Sequence, residues 1–434
     1  MSVINFLLAA ACWLIGYAPV IADIWTLDRT VKQAVDMSHS MAVEKLGAET
    51  AHLDAETAQM GWLPSLSLTS RANYVNKVME IYMPFKTIRF GDYDTYDFKI
   101  QLNQLLYDGG RLNALKEEAE YRSLMSSHQA DAVALAVEFQ AKSAFFKIVM
   151  AAQSVKASTQ SVSEAENHLK DVSARFSQGM ALENEVLMAQ LRISQTEMEL
   201  VSRQADLEKA EAAFRNIVGL DYNEEVIIEW NNEQLYEDIS PDIQKAFDMR
   251  PEFKAFDAAL ETARQSILEA RAGKRPSLGL FSAFNYGKPG LDLPANEWMT
   301  YFSGGVSLNW NIWDWGTSAR NTEKALLNRK KTIKYREEFK GDIEQQFSEA
   351  LADHTAANKR VQLSKQAAGV AENRLKQITS AYREGMATEI DYDNAHASFT
   401  RATLEESVSE AALWLTKIRL EYVLGIRYTG GHNE

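Results

Sequence analysis

The sequence predicts a mainly α-helical protein with a transmembrane β-barrel part, written twice along the chain as a unit of two strands, a long helix, a hairpin tip and a second helix. Three observations point there. The first is a duplicated helix-breaking stretch. Phe176-Ser177-Gln178-Gly179-Met180-Ala181 and Tyr382-Arg383-Glu384-Gly385-Met386-Ala387 share an aromatic residue, two polar residues and Gly-Met-Ala, with a carboxylate, Glu185 or Asp391, six positions after the glycine. Glycine takes the left-handed conformation that ends a helix, so each copy reads as the tip between two antiparallel helices. The second is a stretch from Arg111 to Gln178 without proline or glycine, rich in Ala, Glu, Lys, Leu and Gln. As one helix it would be on the order of 100 Å long, far beyond an ordinary globular helix. The third is a set of short segments whose apolar residues switch to a period of two.

The duplication has a constant offset. Gly179 and Gly385, Gly219 and Gly425, and Asp108 and Asp314 are each separated by 206 residues. Upstream, Pro64-Ser65-Leu66-Ser67-Leu68 and Pro276-Ser277-Leu278-Gly279-Leu280 are separated by 212. The first copy therefore carries six extra residues between its proline and its Asp-Gly turn, where a loop should lie.

In chain order, residues 1–22 read as a secretory signal peptide. An apolar core runs from Phe6 to Ile15, and Val20-Ile21-Ala22 offers a small-x-small cleavage pattern. The alternative is a short N-terminal anchor. Cys12, the only cysteine, lies inside this segment in a faint lipoprotein-like context, so the mature chain is expected to hold no disulfide or thiolate site. Residues 23–220 form the first repeat, with strands at about 64–80 and 96–107 and helices at about 111–178 and 182–218. Residues 221–242 read as a linker. The second repeat, 243–426, has strands at about 276–287 and 299–313 and helices at about 317–383 and 388–424; residues 427–434 are a tail.

Val306-Ser307-Leu308-Asn309-Trp310-Asn311-Ile312 and Phe98-Lys99-Ile100-Gln101-Leu102-Asn103 alternate strictly. Such strands can face lipid on one side and water on the other, and the alternative is a soluble sheet with one buried face. Trp298, Tyr301, Trp310, Trp313 and Trp315 crowd one strand and its ends, as an interfacial aromatic belt would. On the helices, Leu187, Leu191, Met198, Val201 and Ala205 read as a coiled-coil seam. Four strands cannot close a barrel, and an open sheet edge is not tolerated in hydrocarbon. A homo-oligomer is required, with two copies giving eight strands and three giving twelve.

Composition narrows the function. A net charge of -14 argues against nucleic-acid binding. The seven histidines are scattered, and Glu49-Thr50-Ala51-His52 is the one Glu-x-x-His, where a carboxylate-bridged metal bundle needs two. No phosphate loop or nucleophile elbow is present. The expectation is no enzyme, no catalytic residue, no cofactor and no metal.

The order and spacing of the Pro-Ser-Leu strand starts, the Tyr107-Asp108-Gly109-Gly110 and Trp313-Asp314-Trp315-Gly316 strand ends and the two Gly-Met tips carry a resemblance. So do Arg250-Pro251-Glu252 and the terminal Leu424-Gly425-Ile426. Over essentially the whole mature chain the sequence resembles the TolC-like outer-membrane efflux protein family. The resemblance implies a homotrimer with a twelve-stranded barrel in outer-membrane lipid and a helical tunnel in the periplasm. It further implies a passive exit duct of a tripartite efflux or type I secretion system. An inner-membrane ABC or RND transporter and a periplasmic adaptor would be its partners, with Gly179, Met180, Gly385 and Met386 at the adaptor-contacting tips. Tyr382 and Glu185 would form the closed-state lock; the family's arginine two residues after the second glycine is Ala387 here. The periplasmic aperture would draw on Asp391, with Asn394 at the family's second acidic position and Asp393 beside it. The alternative is a secreted or cell-surface coiled-coil interaction protein.

Overall fold

The computed structural model describes residues 24–230, 241–292 and 297–428; the expected signal peptide lies outside them. In chain order the elements are β1 (Ile24–Trp25), α1 (Leu27–Met37), α2 (His39–Gln59), β2 (Ser65–Tyr74), β3 (Met79–Met83), β4 (Lys86–Phe90), β5 (Asp94–Tyr107), α3 (Arg111–Ser177) and α4 (Glu183–Val218). There follow β6 (Ile227–Ile228), α5 (Ile243–Met249), α6 (Pro251–Ala272), β7 (Ser277–Lys288), β8 (Met299–Asn309), α7 (Thr317–Arg383) and α8 (Glu389–Leu424). The proline-free stretches are the long helices: α3 and α7 have 67 residues each, α4 and α8 have 36 each. No described helix is long and apolar enough to cross a membrane.

The chain divides into two compact units, one of residues 43–130 and 251–340, the other of residues up to 42, 131–250 and 341 onward. The first unit holds an antiparallel sheet in the order β2-β5-β7-β8. Two of its strands start directly after Pro64 and Pro276, where proline's missing N–H costs no ladder bond. Register sorts the side chains into two faces. Leu68, Ile100, Phe284 and Phe302 lie opposite one another in a row across all four strands, as do Leu66 and Leu102. On the other face Ser67 pairs with Gln101 and Thr69 with Lys99, which pairs in turn with Asn285. The apolar row is not a core: the four residues are 72%, 46%, 49% and 72% exposed.

Aromatic residues gather at both ends of β8. At its start Trp298 stacks on Tyr286 and Tyr96, with ring centroids 4.9 and 5.7 Å apart. Beyond its end come Trp310, Trp313 and Trp315, the last two edge to face at 5.8 Å. Tyr301 departs from the expected belt. It pairs with Asn285 and lies on the polar face, because it is one residue out of phase with Phe302 and the strand period is two.

Two other expectations shift. The first strand, expected to reach residue 80, ends at Tyr74, and a separate β3–β4 hairpin occupies the connection to β5. The extra residues of the first repeat therefore build a hairpin of their own. The strand expected to reach 313 stops at Asn309, and Asp314 begins the turn into α7. That turn is the duplication seen at atomic detail. Asp108 accepts from Gly110 N–H (3.1 Å) and Leu112 N–H (2.7 Å); Asp314 accepts from Gly316 N–H (3.0 Å) and Ser318 N–H (2.8 Å). Each carboxylate satisfies orphan donors at the start of a 67-residue helix. Trp315 has φ +54° where the first copy has Gly109, a left-handed conformation that glycine takes without strain.

In the second unit, Trp25, Leu27 and Val31 pack against Phe145, Phe146 and Val149 of α3, Phe214 of α4, and Trp414 and Ile418 of α8. The parallel β1–β6 pair fixes Trp25 beside this core. Arg250 donates to the Tyr422 and Val423 carbonyls at 3.2 Å each, closing the C-terminus of α8. Gly425 is required there, since a Cβ would stand 2.8 Å from the Arg250 Cγ. The expected seam on α4 is not packed within the chain. Leu187, Leu191, Met198 and Val201 are all more than half exposed.

Candidate functional site

The two tips are built alike. Gly179 and Gly385 both have φ +74°, and a Cβ at either would meet open space, so conformation rather than crowding selects glycine. Met180 N–H bonds back to the Arg175 carbonyl and Met386 N–H to the Ala381 carbonyl, each at 2.8 Å, the six-to-one bond of a Schellman motif. Both methionines are exposed.

The carboxylates six residues on are helix caps. In α8, Asp391 accepts from Thr388 N–H (3.0 Å) and from the Thr388 hydroxyl (2.6 Å), and its own N–H donates to Thr388 Oγ1 (3.2 Å). This is a reciprocal capping box. The Thr388 hydrogen bonds hold the Asp391 carboxyl below the usual carboxylate range. At the other tip Glu185 is one methylene longer. It accepts the Leu182 N–H at a long 3.5 Å through Oε1 and the Tyr382 hydroxyl at 3.2 Å through Oε2. Burial, and after it the Glu389 and Glu185 carboxylates, push the Tyr382 phenol far above its ordinary value, so it stays a donor. Arg175 lies over the Tyr382 ring at 4.3 Å.

The expected aperture residues separate. Asp391 and Asn394 are both exposed. Asp393 turns toward α3 instead, half-buried beside His168 and the buried Glu389. Burial and the neighbouring Glu389 raise its pKa above the ordinary value. His168 Nε2 lies 2.5 Å from Glu389 Oε1, and its ring stacks on Tyr392 with centroids 4.0 Å apart. Nearby His396 pairs with Glu164 at 3.0 Å. A cavity of about 540 Å³ borders this group, with Glu164, His168, Asp171, Tyr382, Tyr392 and His396 in its wall. Sequence reasoning expected no metal ligand set, and nothing local signals one. His168 and Glu389 are 221 residues apart, and only the pairing of α3 with α8 brings them together.

An amphipathic antiparallel sheet with aromatic residues at both ends of a strand, in a chain with duplicated helical hairpins, is the pattern expected of an outer-membrane protein. The family model for outer membrane efflux proteins matches residues 30–220 and 243–425, and the chain belongs to that family. Solved structures agree on the fold. A membrane protein from Pseudomonas aeruginosa is similar with a TM-score of 0.80 at 19% identity, over 92% of this chain and 93% of that one. The outer membrane protein VceC of Vibrio cholerae gives 0.79 at 17% identity, over 92% and 96%. The outer membrane channel MtrE of Neisseria gonorrhoeae, in its open state, gives 0.73 at 17%, over 92% and 89%. No curated protein matches significantly. The chain is thus an efflux transport protein of the outer membrane rather than an enzyme.

Proposed function

We propose that three copies of this chain close a twelve-stranded barrel and a helical tunnel, forming the passive exit duct of a tripartite efflux or type I secretion system. The observation that carries this is the four-stranded sheet with an exposed apolar face. Its edge strands β2 and β8 have no further partner among the described residues. Unpaired backbone groups cannot remain in hydrocarbon, so neighbouring copies must complete the ladder. The exposed stripe on α4 supports the same conclusion, as an apolar helix face that a neighbouring copy would cover. The resemblance to TolC-like proteins favours three copies over two. Extraction in several mild detergents followed by light scattering should give three times the mature chain mass, as a heat-modifiable species. A monomeric mass throughout would overturn the assembly.

The exposed tips, Gly179-Met180 and Gly385-Met386, are the surfaces proposed to meet a periplasmic adaptor, which couples the duct to an inner-membrane ABC or RND transporter. The first 22 residues would be the export signal, followed by the two repeats and the linker at the boundaries given above. The bond from Tyr382 to Glu185 holds the closed state. A hydrogen bond to a carboxylate is worth about 1.5–3 kcal/mol. Tyr382→Phe should therefore raise the open fraction on the order of tenfold or more. Single-channel recording in planar bilayers reads this directly, and an unchanged open fraction would remove Tyr382 from the lock.

A further inference from the structure

A buried set of metal-ligand atoms joins α3 to α8 behind the tips. Glu389 and Asp393 stand one turn apart on α8, and His168 faces them from α3. One donor atom from each lies within 4.8 Å of the other two. The side chains of His168 and Glu389 are 6% and 5% exposed. The short His168–Glu389 contact engages Oε1 of Glu389, while Oε2 is buried and meets no donor at hydrogen-bond geometry among the described residues, the nearby Tyr382 hydroxyl being directed to Glu185. Two carboxylates thus face a single imidazole. Neither nearby arginine hydrogen-bonds these carboxylates: Arg175 lies over the Tyr382 ring and Arg192 reaches His396 Nδ1 at 3.5 Å, each keeping one buried nitrogen without a partner among the described residues. A buried carboxylate oxygen without a donor is costly, and a cation is the group that removes the cost.

We propose that His168, Glu389 and Asp393 form a binding site for a transition-metal dication of the zinc class, held by one imidazole nitrogen and two carboxylate oxygens, with water completing the shell. Imidazole with carboxylates is a zinc-type set, whereas calcium and magnesium favour oxygen alone. The stacked Tyr392 ring fixes the imidazole plane, and the adjoining cavity gives water and ions a route in. On binding, the metal takes the place of the hydrogen in the His168–Glu389 contact, which moves to Nδ1 of a neutral imidazole or leaves to solvent from an imidazolium. Their contact must widen from 2.5 Å, since zinc–ligand bonds of about 2.0–2.2 Å hold ligand atoms farther apart than that. The bound ion would cross-link the two hairpins of one subunit. The site stands on these three residues alone and does not depend on the exit-duct reading.

The test uses full-length, chelator-stripped protein in detergent, purified without a polyhistidine tag. Equilibrium dialysis against zinc should load about one ion per chain. Cobalt in its place should give the visible bands of a low-coordinate nitrogen–oxygen site. His168→Gln and Glu389→Gln should each weaken zinc binding at least tenfold. His52→Gln, which removes an exposed histidine paired with Glu56, should leave it unchanged. X-ray absorption at the zinc edge of the wild-type protein decides the matter even where a variant fails to assemble, because imidazole scattering is distinctive. No binding at micromolar zinc, an all-oxygen shell, or variants that bind as tightly as wild type would overturn the site.

Discussion

Phe284→Arg should keep the protein out of the outer membrane, while Ser67→Arg should leave insertion intact. Both positions lie in the same sheet, and register puts them on opposite faces. Phe284 sits mid-strand in the row with Leu68, Ile100 and Phe302; Ser67 pairs with Gln101 on the face that already carries Lys99. An arginine on the lipid face of a barrel costs about 2–4 kcal/mol near the midplane, so three copies incur about 6–12 kcal/mol. That rivals the whole stability of an ordinary domain. On the water-facing side the same charge stays hydrated. Membrane fractionation followed by unheated gel electrophoresis would show the heat-modifiable trimer for Ser67→Arg and its loss for Phe284→Arg. Equal insertion of both variants would mean that the apolar row does not face lipid.

Much of this architecture was legible because the relevant signals are local and repeated. The 206-residue offset located both tips and both Asp-capped helix starts, and the alternation at 98–103 and 306–312 placed β5 and β8. What escaped the sequence lies in tertiary pairing. The α4 stripe of Leu187, Leu191, Met198 and Val201 reads as a seam, yet periodicity does not say whether the partner belongs to the same chain. The β3–β4 hairpin was hidden although Met79-Glu80-Ile81 and Ile88-Arg89-Phe90 alternate, because each strand is only five residues long and the turn is Pro84-Phe85 rather than a glycine pair. The His168–Glu389–Asp393 group had no motif to find, since its members come from helices in different repeats. Asp393 illustrates the limit well. One residue of phase on a helix is about 100°, enough to carry it from the exposed face of Asp391 and Asn394 to the buried side.

Asp391→Asn should sharply reduce the cation selectivity of the closed channel and its block by trivalent cations. Three copies of an exposed carboxylate around one narrow opening would concentrate cations, and one polyvalent ion would neutralise several at once. The capping box refines the choice of variant. Asparagine keeps an oxygen for the Thr388 bonds and drops the charge, whereas alanine loses both, so a shared loss of selectivity isolates the charge. The same box sets the pH response. Thr388 lowers the pKa of Asp391 in the folded state. The stabilising contribution of the cap is therefore complete above the unfolded carboxylate value of about 4 and is lost as pH falls through the lowered folded value. Selectivity should follow the same charge and persist into more acid solution than an ordinary carboxylate allows. Mutual repulsion among three copies works in the opposite direction, so the comparison is made between variants in the same assembly. Thr388→Val removes the hydroxyl that bonds Asp391 at 2.6 Å. Its loss of selectivity should therefore occur at higher pH than in the wild-type channel. Reversal potentials measured across a pH series in planar bilayers give both midpoints. Identical midpoints would mean that the cap does not set the charge, and unchanged selectivity in Asp391→Asn would move the ring to Glu185, since Glu389, the other acidic residue of this turn, is buried against His168.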